Sequence, residues 1–297
     1  MWVIVIVAAL LVGHRLVPDR PGHLGSLVEA FLPWAGLAVV GLFELAVWRR
    51  NVRRMIAALV PAVVWLGVVA FPAGAGTGDL LVVQHNVSDE NADPAGTARA
   101  LAEARPDLIG LEEVTPEQVG VYERELGGAY PFHAVYGTVG LWSRYRIIES
   151  AEIDIKPHGL EADWRRGLRA LVATPGADSA VFVAHLPSVR AGLRGFNTEW
   201  RDDSARKLGK FITDEATQRV VLIGDLNASV DDRGLRPVIS HMHAAPAGYA
   251  WSFPARMPIA RIDQVMVRGG DVASIRTLAA TGSDHRPVAA AIRFDRV

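Results

Sequence analysis

The sequence predicts an α/β (α+β) globular domain, in which two packed β-sheets are flanked by helices, preceded by three transmembrane helices. Two observations lead to this fold class. Apolar residues are concentrated near the start of the 297-residue chain, where they form long runs. From Leu80 onward, short apolar runs are separated by only a few amphipathic stretches, a pattern typical of sheet packed on sheet. We therefore predict a membrane domain at 1–72, a linker at 73–78 and a globular domain at 79–297.

The composition excludes some kinds of site and disfavours one kind of partner. The chain has no cysteine, which excludes disulfide bonds and thiolate metal sites. Half of its residues are hydrophobic, and the apolar excess lies in the membrane domain. Residues 79–297 carry 25 basic and 29 acidic side chains, a net charge of −4. Because an acidic domain repels phosphate backbones, nucleic acid is disfavoured as a partner.

Three apolar stretches, 1–12, 32–47 and 55–71, are the predicted transmembrane helices. The last carries no charge and has by itself about the 17–20 residues that cross a bilayer, whereas the first two reach that length only with flanking residues. A signal peptide is the alternative interpretation of 1–12. That stretch lacks a basic amino-terminal region, however, and two further apolar stretches follow it. We expect a multi-pass protein of the cell membrane.

The orientation follows from a short loop between the second and third stretches, which holds Arg49, Arg50, Arg53 and Arg54. Positively charged loops stay in the cytoplasm, so the third helix must run outward. Everything after it then lies on the extracytoplasmic side. The linker at 73–78 is short and rich in small residues, which keeps the globular domain near the outer leaflet. The phospholipid bilayer is therefore an expected partner.

The elements of the globular domain are predicted from periodicity and from breaker residues. Asp93 and Pro94 suit a helix start, because proline is tolerated in the first turn. Four apolar residues at 220–223 suit a strand that is covered on both faces. The predicted strands are 80–83, 108–112, 132–136, 140–143, 147–155, 168–174, 180–184, 220–225, 261–267, 272–277 and 288–294. The predicted helices are 94–104, 116–126 and 197–216.

Polar residues stand at or just beyond the ends of these apolar runs. Asp225 and Asn227 follow the strand at 220–223, and Gly224 lets the backbone turn there. A carboxylate and a carboxamide at this spacing suit the orientation of a water molecule beside a phosphate oxygen, although an Asx turn alone would explain the pattern. Comparable positions are held by Asn86, Glu113, His185, Asp263, Asp284 and His285.

Two pairings among these residues indicate a chemistry. Asn86 and Glu113 end strands that are neighbours if the helix between them is a simple crossover, and their oxygens suit a hard cation such as Mg²⁺. Asp263 lies in an otherwise apolar strand, where a carboxylate must be paired, and His285 is a fitting partner. A carboxylate beside the imidazole makes it more basic and fixes its tautomer. The set as a whole indicates a metal site with acid/base groups.

The motifs around these residues resemble, in the same order, those of the endonuclease/exonuclease/phosphatase superfamily. They are VVQHNV, LIGLEEV, VFVAHLP, IGDLNA, RIDQVMV and GSDHRPV. The resemblance covers 80–297 and implies a deoxyribonuclease-like four-layer sandwich that hydrolyses phosphoric esters or anhydrides with a metal. The second motif usually reads Gln-Glu and here reads Glu112–Glu113, a departure that affects only a supporting contact.

The resemblance further implies which residues bind the metal and the substrate. Glu113 would bind Mg²⁺, or Mn²⁺ in its place, with Asn86 and Asp284 in or near its coordination shell. Arg169 would face the phosphate, and Arg165 and Arg166 are rivals for that position.

The remaining implied roles concern proton transfer and phosphate contact. Asp225 would orient or deprotonate the attacking water, and Asp263 would hold His285. Whether Asp225 or His285 takes the proton is left open by the sequence. His185 and Asn227 would contact the phosphate. The implied catalytic set is thus His185, Asp225, Asn227, Asp263 and His285.

The expected function combines this chemistry with the membrane anchor. The arrangement of three apolar stretches followed by such a domain resembles that of the glycopeptide-resistance members of the family. This resemblance implies that the protein hydrolyses a lipid-linked phosphate, namely undecaprenyl pyrophosphate, outside the membrane. Trp164 is a candidate for contact with substrate or membrane. An anchored extracellular nuclease or phosphodiesterase is one alternative, and a catalytically inactive binding module is the second. Oligomeric state cannot be predicted from these features.

Overall fold

The computed structural model describes residues 2–19, 22–69, 77–192, 195–245 and 250–296. Its helices are Trp2–Gly13 (α1), Leu24–Ala30 (α2), Ala35–Trp48 (α3), Val52–Val69 (α4), Pro94–Glu103 (α5), Pro116–Leu126 (α6), Glu199–Asp214 (α7) and Arg236–Ile239 (α8). Its strands are Leu80–Asn86 (β1), Leu108–Glu112 (β2), Phe132–Tyr136 (β3), Val139–Ser143 (β4), Ile147–Glu152 (β5), Gly167–Val172 (β6), Ser179–Ala184 (β7), Arg190–Gly192 (β8), Gly195–Asn197 (β9), Arg219–Asp225 (β10), His243–Ala244 (β11), Asp263–Arg268 (β12), Gly270–Thr277 (β13) and Val288–Phe294 (β14).

Two six-stranded sheets form the body of the domain. The first has the order β13-β14-β1-β2-β4-β3, and the second has the order β11-β12-β10-β7-β6-β5. In the first sheet β1 and β2 are parallel, joined by the crossover helix α5, and in the second β7 and β10 are parallel. The prediction of two packed sheets flanked by helices is confirmed. The strands and helices predicted for 79–297 all occur, with shifted ends, whereas the short α2, α8, β8, β9 and β11 were not predicted.

The central strands are apolar on both faces because each lies between two hydrophobic layers. Val221 and Ile223 of β10 belong to the core between the sheets, whereas Val220 and Leu222 pack in the layer under α7. A third apolar layer lies between the first sheet and helices α5 and α6. Gly110 permits the close approach of the two sheets, since a Cβ there would lie 2.5 Å from Ile223. This packing holds the strand ends of both sheets at one common rim.

The amino-terminal helices were predicted to cross a membrane three times. Within the described ranges, no helix taken singly combines the length and apolarity needed to span a bilayer; the pair Leu24–Ala30 and Leu32–Trp48, bent by 58°, meets the criteria jointly. The end of the predicted stretch 55–71 and most of the predicted linker 73–78 lie outside the described residues. The three transmembrane helices and the domain boundaries therefore stay predictions.

The segment between α1 and α3 packs against the globular domain. Arg233 donates from Nε and Nη2 to the carboxylate of Glu29, both at 2.9 Å, and Glu29 is only 1% exposed. A buried carboxylate requires such a partner, because an unpaired charge in the interior is strongly unfavourable. Trp34 donates its ring N–H to the backbone oxygen of Ile259 at 2.7 Å and stacks on Trp251. These contacts attach the segment between α1 and α3 to the globular domain.

Candidate active site

Four strand ends bring the predicted residues to one rim. Asn86 ends β1, Glu113 directly follows β2, and His185 directly follows β7. Asp225 ends β10 and lies opposite Asp263, the first residue of the antiparallel strand β12. Gly224 is needed at this point because a Cβ there would lie 1.9 Å from the backbone oxygen of Ala184 on β7. The parallel pairing of β1 with β2 and of β7 with β10 thus creates the cluster.

Asp263 and His285 form a buried hydrogen-bonded pair. The Nδ1 of His285 lies 2.8 Å from Oδ2 of Asp263, and the hydroxyl of Ser252 donates to the same oxygen. Gln84 donates from Nε2 to the other carboxylate oxygen at 2.8 Å. The ring of Phe253 lies 4.9 Å from the imidazole, centroid to centroid. The structure therefore brings the predicted pair together and holds the carboxylate with three donors.

The electrostatics of this pair make His285 a cation. Burial disfavours the charged imidazole, but Asp263 and Asp225 outweigh that effect and raise the pKa of His285 to about 10. Burial by itself would raise the pKa of Asp263, but the neighbouring imidazolium and the hydrogen bonds to the carboxylate together outweigh it and lower the pKa of that carboxyl. A protonated His285 that faces the site can donate a hydrogen bond or offset negative charge.

Asp225 lies between the pair and the strand end of β1. Its Oδ2 accepts a hydrogen bond from Nδ2 of Asn86 at 3.1 Å and lies 3.8 Å from Nε2 of His285. Its Oδ1 accepts from the backbone N–H of Asn227 at 2.9 Å. Burial raises the pKa of Asp225 to about 7. A carboxylate that titrates near neutrality and accepts from both predicted amide residues can orient water and accept its proton.

Asn227 occupies the left-handed region with a φ of 48°, and Glu113 does so with a φ of 60°. Such conformations are rare for residues with a side chain and cost roughly 1–3 kcal/mol each. Asn227 is held there by the Asp225 carboxylate and by its own side chain, which donates to the backbone oxygen of Leu186 at 2.9 Å. Both outliers lie at the rim, where the backbone turns to present polar side chains.

His185 is buried beside a cation. Nη1 of Arg166 lies 3.1 Å from Nδ1 of His185, and the opposite ring nitrogen lies 3.7 Å from Asp225 and 3.8 Å from Glu113. Burial, together with the charge of Arg166, lowers the pKa of His185 well below its usual range. His185 is therefore neutral, and Arg166 supplies the positive charge at this edge of the site.

Arg169, predicted to face the phosphate, lies elsewhere. Its guanidinium pairs with Glu215 at 2.9 Å and with Glu149. The reason is the pleat of β6: Leu168 and Ala170 face the core between the sheets, so Arg169 must point to the outer face. Arg166, one of its two rivals, is two and four residues from Leu168 and Ala170, so its side chain points to the same side of the sheet as theirs and reaches the rim. Contrary to the prediction, the structure places Arg169 away from the rim and brings Arg166 to the rim beside His185.

The donor set suits a hard divalent cation. Glu113 is partly exposed, with its side chain 27% accessible, and the one hydrogen bond that it accepts from the described residues is a long one of 3.4 Å from the backbone N–H of Asp89. Its lone pairs are thus available to a metal, and it adjoins the carboxylate of Asp225 through His185. Asp284 directly precedes His285, and its side chain is exposed. Its charge helps to raise the pKa of His285. These residues would hold the cation through oxygen atoms, the ligands that Mg²⁺ and Mn²⁺ favour.

Another group with metal-type ligands consists of Asp225, Asp263 and His285, whose ligand atoms lie within 4.8 Å of one another. Asp263 already accepts hydrogen bonds from Gln84, Ser252 and His285. A cation bound there would have to displace the imidazole proton. The Glu113 side of the cluster therefore suits the metal better.

Several residues of the site were not singled out from the sequence. Gln84 donates from one amide nitrogen both to Asp263 and to Glu112, each at 2.8 Å. Burial raises the pKa of Glu112 well above its usual range, so this acid is neutral beneath the site. Ser252 and Phe253 come from a loop that contains none of the motifs. The sequence offered one indication that Gln84 belongs to the site, because it is an amide in an apolar strand. No feature of the sequence indicated Ser252.

A model of the Endonuclease/Exonuclease/phosphatase family matches residues 83–285. The match includes each of the residues discussed above, from Gln84 to His285. No curated protein sequence matches the chain significantly.

This chain aligns with solved structures of the same fold over all or nearly all of their length. The mannosyl-6-phosphatase Bt3783 of Bacteroides thetaiotaomicron is 17% identical, with a TM-score of 0.57 over 72% of this chain and 100% of that chain. Sphingomyelinase C from Streptomyces griseocarneus is 19% identical, with a TM-score of 0.54 over 71% and 98%. TDP2 of D. rerio, complexed with single strand DNA product, is 18% identical, with a TM-score of 0.57 over 71% and 97%. At these identities the likeness shows a shared fold.

Proposed function

Since the chain belongs to the endonuclease/exonuclease/phosphatase family, whose members are metal-dependent phosphoric ester hydrolases, we propose a specific substrate class for it. The protein is a membrane-anchored, extracytoplasmic phosphohydrolase that acts on a lipid-linked phosphate. The substrate that fits best is undecaprenyl pyrophosphate, which water attack converts into the monophosphate carrier and free phosphate. Mg²⁺ is the proposed cofactor.

The observation that carries this proposal is the attachment of the domain to helices with exposed apolar surfaces. Trp2, Leu16 and Trp48 are 81%, 85% and 77% exposed, and Leu37 and Val63 are also largely uncovered. Apolar surface of this extent is unfavourable in water and is stable when lipid chains cover it. The segment between α1 and α3, which joins these helices, contacts the domain through Glu29 and Trp34. A catalytic rim held beside a bilayer favours a substrate that stays in the bilayer.

The contacts agree with the predicted orientation. The segment 14–31 joins the first two apolar stretches, and Glu29 within it pairs with Arg233 of the domain. Segment and domain must therefore lie on the same side of the membrane. The four arginines of the loop at 49–54 are at the other end of α3, which favours the cytoplasmic side for that loop. Both arguments support an extracytoplasmic domain.

The choice of undecaprenyl pyrophosphate rests on a further resemblance. Three apolar stretches before this domain resemble the glycopeptide-resistance protein VanJ, for which that lipid is the implied substrate. The lipid keeps its chain in the bilayer and presents its diphosphate at the surface. A role in carrier recycling or glycopeptide resistance would follow from this substrate.

The residues of the rim divide the proposed reaction among them. Arg166, His185 and the amide of Asn227 bind and orient the terminal phosphoryl group. Asp225 orients the water and accepts its proton, since its raised pKa is close to neutral. The metal, held by Glu113 with Asn86 and Asp284 nearby, would neutralise charge on the phosphate oxygens when bound.

His285 and its partner complete the set. The cationic His285, fixed by Asp263, offsets the negative charge that grows in the transition state. The inactive binding module is disfavoured because the acids, the amides and both histidines lie within hydrogen-bonding chains around one centre. A nuclease or phosphodiesterase shares this chemistry and differs only in the substrate.

The experiment compares two substrates with one preparation. Full-length protein in lipid nanodiscs should release phosphate from undecaprenyl pyrophosphate, EDTA should abolish the release, and Mg²⁺ should restore it. Nicking of plasmid DNA at the same enzyme concentration should be far slower. Ready nicking with the lipid left intact would overturn the proposal in favour of a nuclease.

A further inference from the structure

A groove of about 560 Å³ lies beside the candidate active site. Its apolar walls are formed by Leu160, Trp164, Pro187 and Trp200, and Arg166 lines one part of it. The reaction described above uses only Arg166 of these residues. The groove therefore needs an explanation of its own.

The groove is continuous with the phosphate-binding edge of the site. The guanidinium of Arg166 lies 3.1 Å from His185 on one side and 5.3 Å above the ring centroid of Trp164 on the other. Arg166 is thus shared between the polar rim and the apolar walls. A ligand whose terminal phosphate contacts Arg166 would direct the rest of the molecule into the groove, and in a diphosphate this includes the apolar group beyond the second phosphate.

The apolar side of the groove indicates an apolar occupant, whereas Arg190 and Glu199 line its polar side. Trp200 is 52% exposed although it is among the largest apolar side chains. It projects from α7, the helix that otherwise buries its apolar face beneath the second sheet. An uncovered indole next to Leu160 and Pro187 gains free energy when hydrocarbon displaces its water.

One end of the groove adjoins the segment that joins the apolar helices. Asn197 lines the groove, and its neighbours Phe196 and Thr198 contact that segment: Phe196 donates its backbone N–H to Gly22 at 3.0 Å, and Thr198 Oγ1 lies 2.9 Å from Nδ1 of His23. Gly22 and His23 directly precede α2. A chain in the groove would therefore run from the rim toward the part of the protein that meets the outer leaflet.

We infer that the groove binds the part of a lipid's hydrocarbon chain that adjoins its phosphate, with Trp164 and Trp200 as specificity-determining residues. The inference rests on the proposed function, because it assumes that the phosphate binds at Arg166. It adds that the enzyme recognises the apolar chain directly and does not rely on proximity to the membrane alone. Substrates with a short or polar group on the phosphate are then poorly bound.

The test measures binding of non-hydrolysable alkylphosphonates by titration calorimetry, using full-length protein in nanodiscs with Mg²⁺. Affinity should rise from methylphosphonate through butylphosphonate to decylphosphonate. Trp200→Ala should weaken decylphosphonate binding about tenfold or more and methylphosphonate binding less than about twofold, since only the longer chain reaches the indole. Leu160→Ser, in a loop outside α7, should reduce the chain-length dependence in the same way.

The matched control is Phe211→Ala, which removes a large, 38% exposed aromatic side chain from the same helix without touching the groove. Both phosphonates should bind this variant as they bind the wild type. Equal affinity of the wild type for methylphosphonate and decylphosphonate would overturn the inference, as would equal losses for both ligands in Trp200→Ala and Leu160→Ser. Tighter, Trp200-dependent binding of a short single-stranded oligonucleotide would also overturn it.

These outcomes are separable from a failure of the proposed function. Hydrolysis of undecaprenyl pyrophosphate without chain-length dependence would leave the proposed function and remove the groove inference. Chain-length-dependent binding without hydrolysis of that lipid would leave the groove as a chain site and point to another apolar phosphate ester.

Discussion

Trp34 stacks on Trp251, with their ring centroids 5.0 Å apart and their planes inclined by 28°. Trp34 lies at the start of the second predicted transmembrane helix, and Trp251 lies in the loop that supports the catalytic pair. The next residue, Ser252, donates to Asp263, and Phe253 packs on His285. The same loop accepts a hydrogen bond from Trp34 at Ile259. The segment between α1 and α3 therefore supports the geometry of the catalytic pair.

Trp34→Ala should lower kcat for a water-soluble phosphomonoester by about tenfold, because loss of the stack lets the loop and His285 shift. KM should change little, since Trp34 does not contact substrate. Trp34→Phe keeps the stacking face and should recover most of the activity. An unchanged kcat in Trp34→Ala would show that the loop is held in place without the stack on Trp34. The measurement is steady-state hydrolysis by full-length protein in nanodiscs.

Removal of the acid/base groups should separate catalysis from metal binding. Asp225→Ala and His285→Ala should each reduce turnover by roughly a hundredfold or more. Glu113→Ala should lower activity and also raise the Mg²⁺ concentration required for half-maximal activity. Calorimetric Mg²⁺ titration of the three variants distinguishes the two effects. Wild-type turnover in His285→Ala would mean that the site has been misassigned.

The pH dependence of kcat/KM should be bell-shaped. Activity requires ionised Asp225, whose pKa is raised to about 7, and protonated His285, whose pKa is raised to about 10. Activity should therefore rise as pH increases through the lower value and fall as pH passes the upper one. A bound cation favours the carboxylate, so Mg²⁺ should move the acidic limb to lower pH. His285→Gln should lose the alkaline limb, and a profile that keeps it would assign that limb to another group.

Arg166 and Arg169 make a matched pair of substitutions. Arg166→Met should reduce kcat/KM by about a hundredfold, the scale expected when one charged donor to a transition state is removed. Arg169→Met should leave kcat/KM of the folded protein unchanged and lower stability by about 1 kcal/mol. The reverse result would restore Arg169 as the residue that faces the phosphate.

The stability loss in Arg169→Met should depend on pH. Burial works against ionised Glu215, but its hydrogen bonds, above all that from Arg169, lower its pKa from 4.5 to about 2. A lowered folded-state pKa stabilises the protein above the unfolded value, and this stabilisation is lost as pH falls from 4.5 toward 2. The Tm difference between wild type and Arg169→Met should accordingly shrink over that range. A constant difference would show that packing of the arginine, and not its charge, accounts for the loss.

The topology can be tested with reporters that are active only outside the cytoplasm. A reporter fused at the carboxyl terminus should be active, and one fused near Asn51 should be inactive, because of the four arginines around that position. The charge-reversed pair Glu29→Arg with Arg233→Glu should retain more activity than either single variant if the segment at 14–31 docks on the same side. Additive losses in the double variant would argue against the docking.

Much of the fold was determined by local patterns in the sequence. Apolar runs of four to seven residues specify strands, and a strand that is apolar on both faces must lie between two layers, as Val220 to Ile223 do. Asn86, Glu113, His185 and Asp225 come where such runs stop. Because parallel neighbours end at the same edge, their convergence follows from order along the chain and from the crossover rule. The motifs then identified the family, which the match over 83–285 confirms.

The tertiary structure decided what depends on orientation across a strand or on contacts distant in the chain. Arg166 directly precedes β6 and Arg169 lies within it, three positions later, so their side chains point to opposite faces of the sheet. The pairing of β6 with β7, which continues from Arg166 to His185, determined which arginine reaches the rim. Ser252 reaches Asp263, and Trp34 reaches Trp251, only because separate segments fold over the same rim. Periodicity carries the direction of a side chain relative to its own strand; which distant group it meets is set by how the sheets, loops and amino-terminal helices pack together.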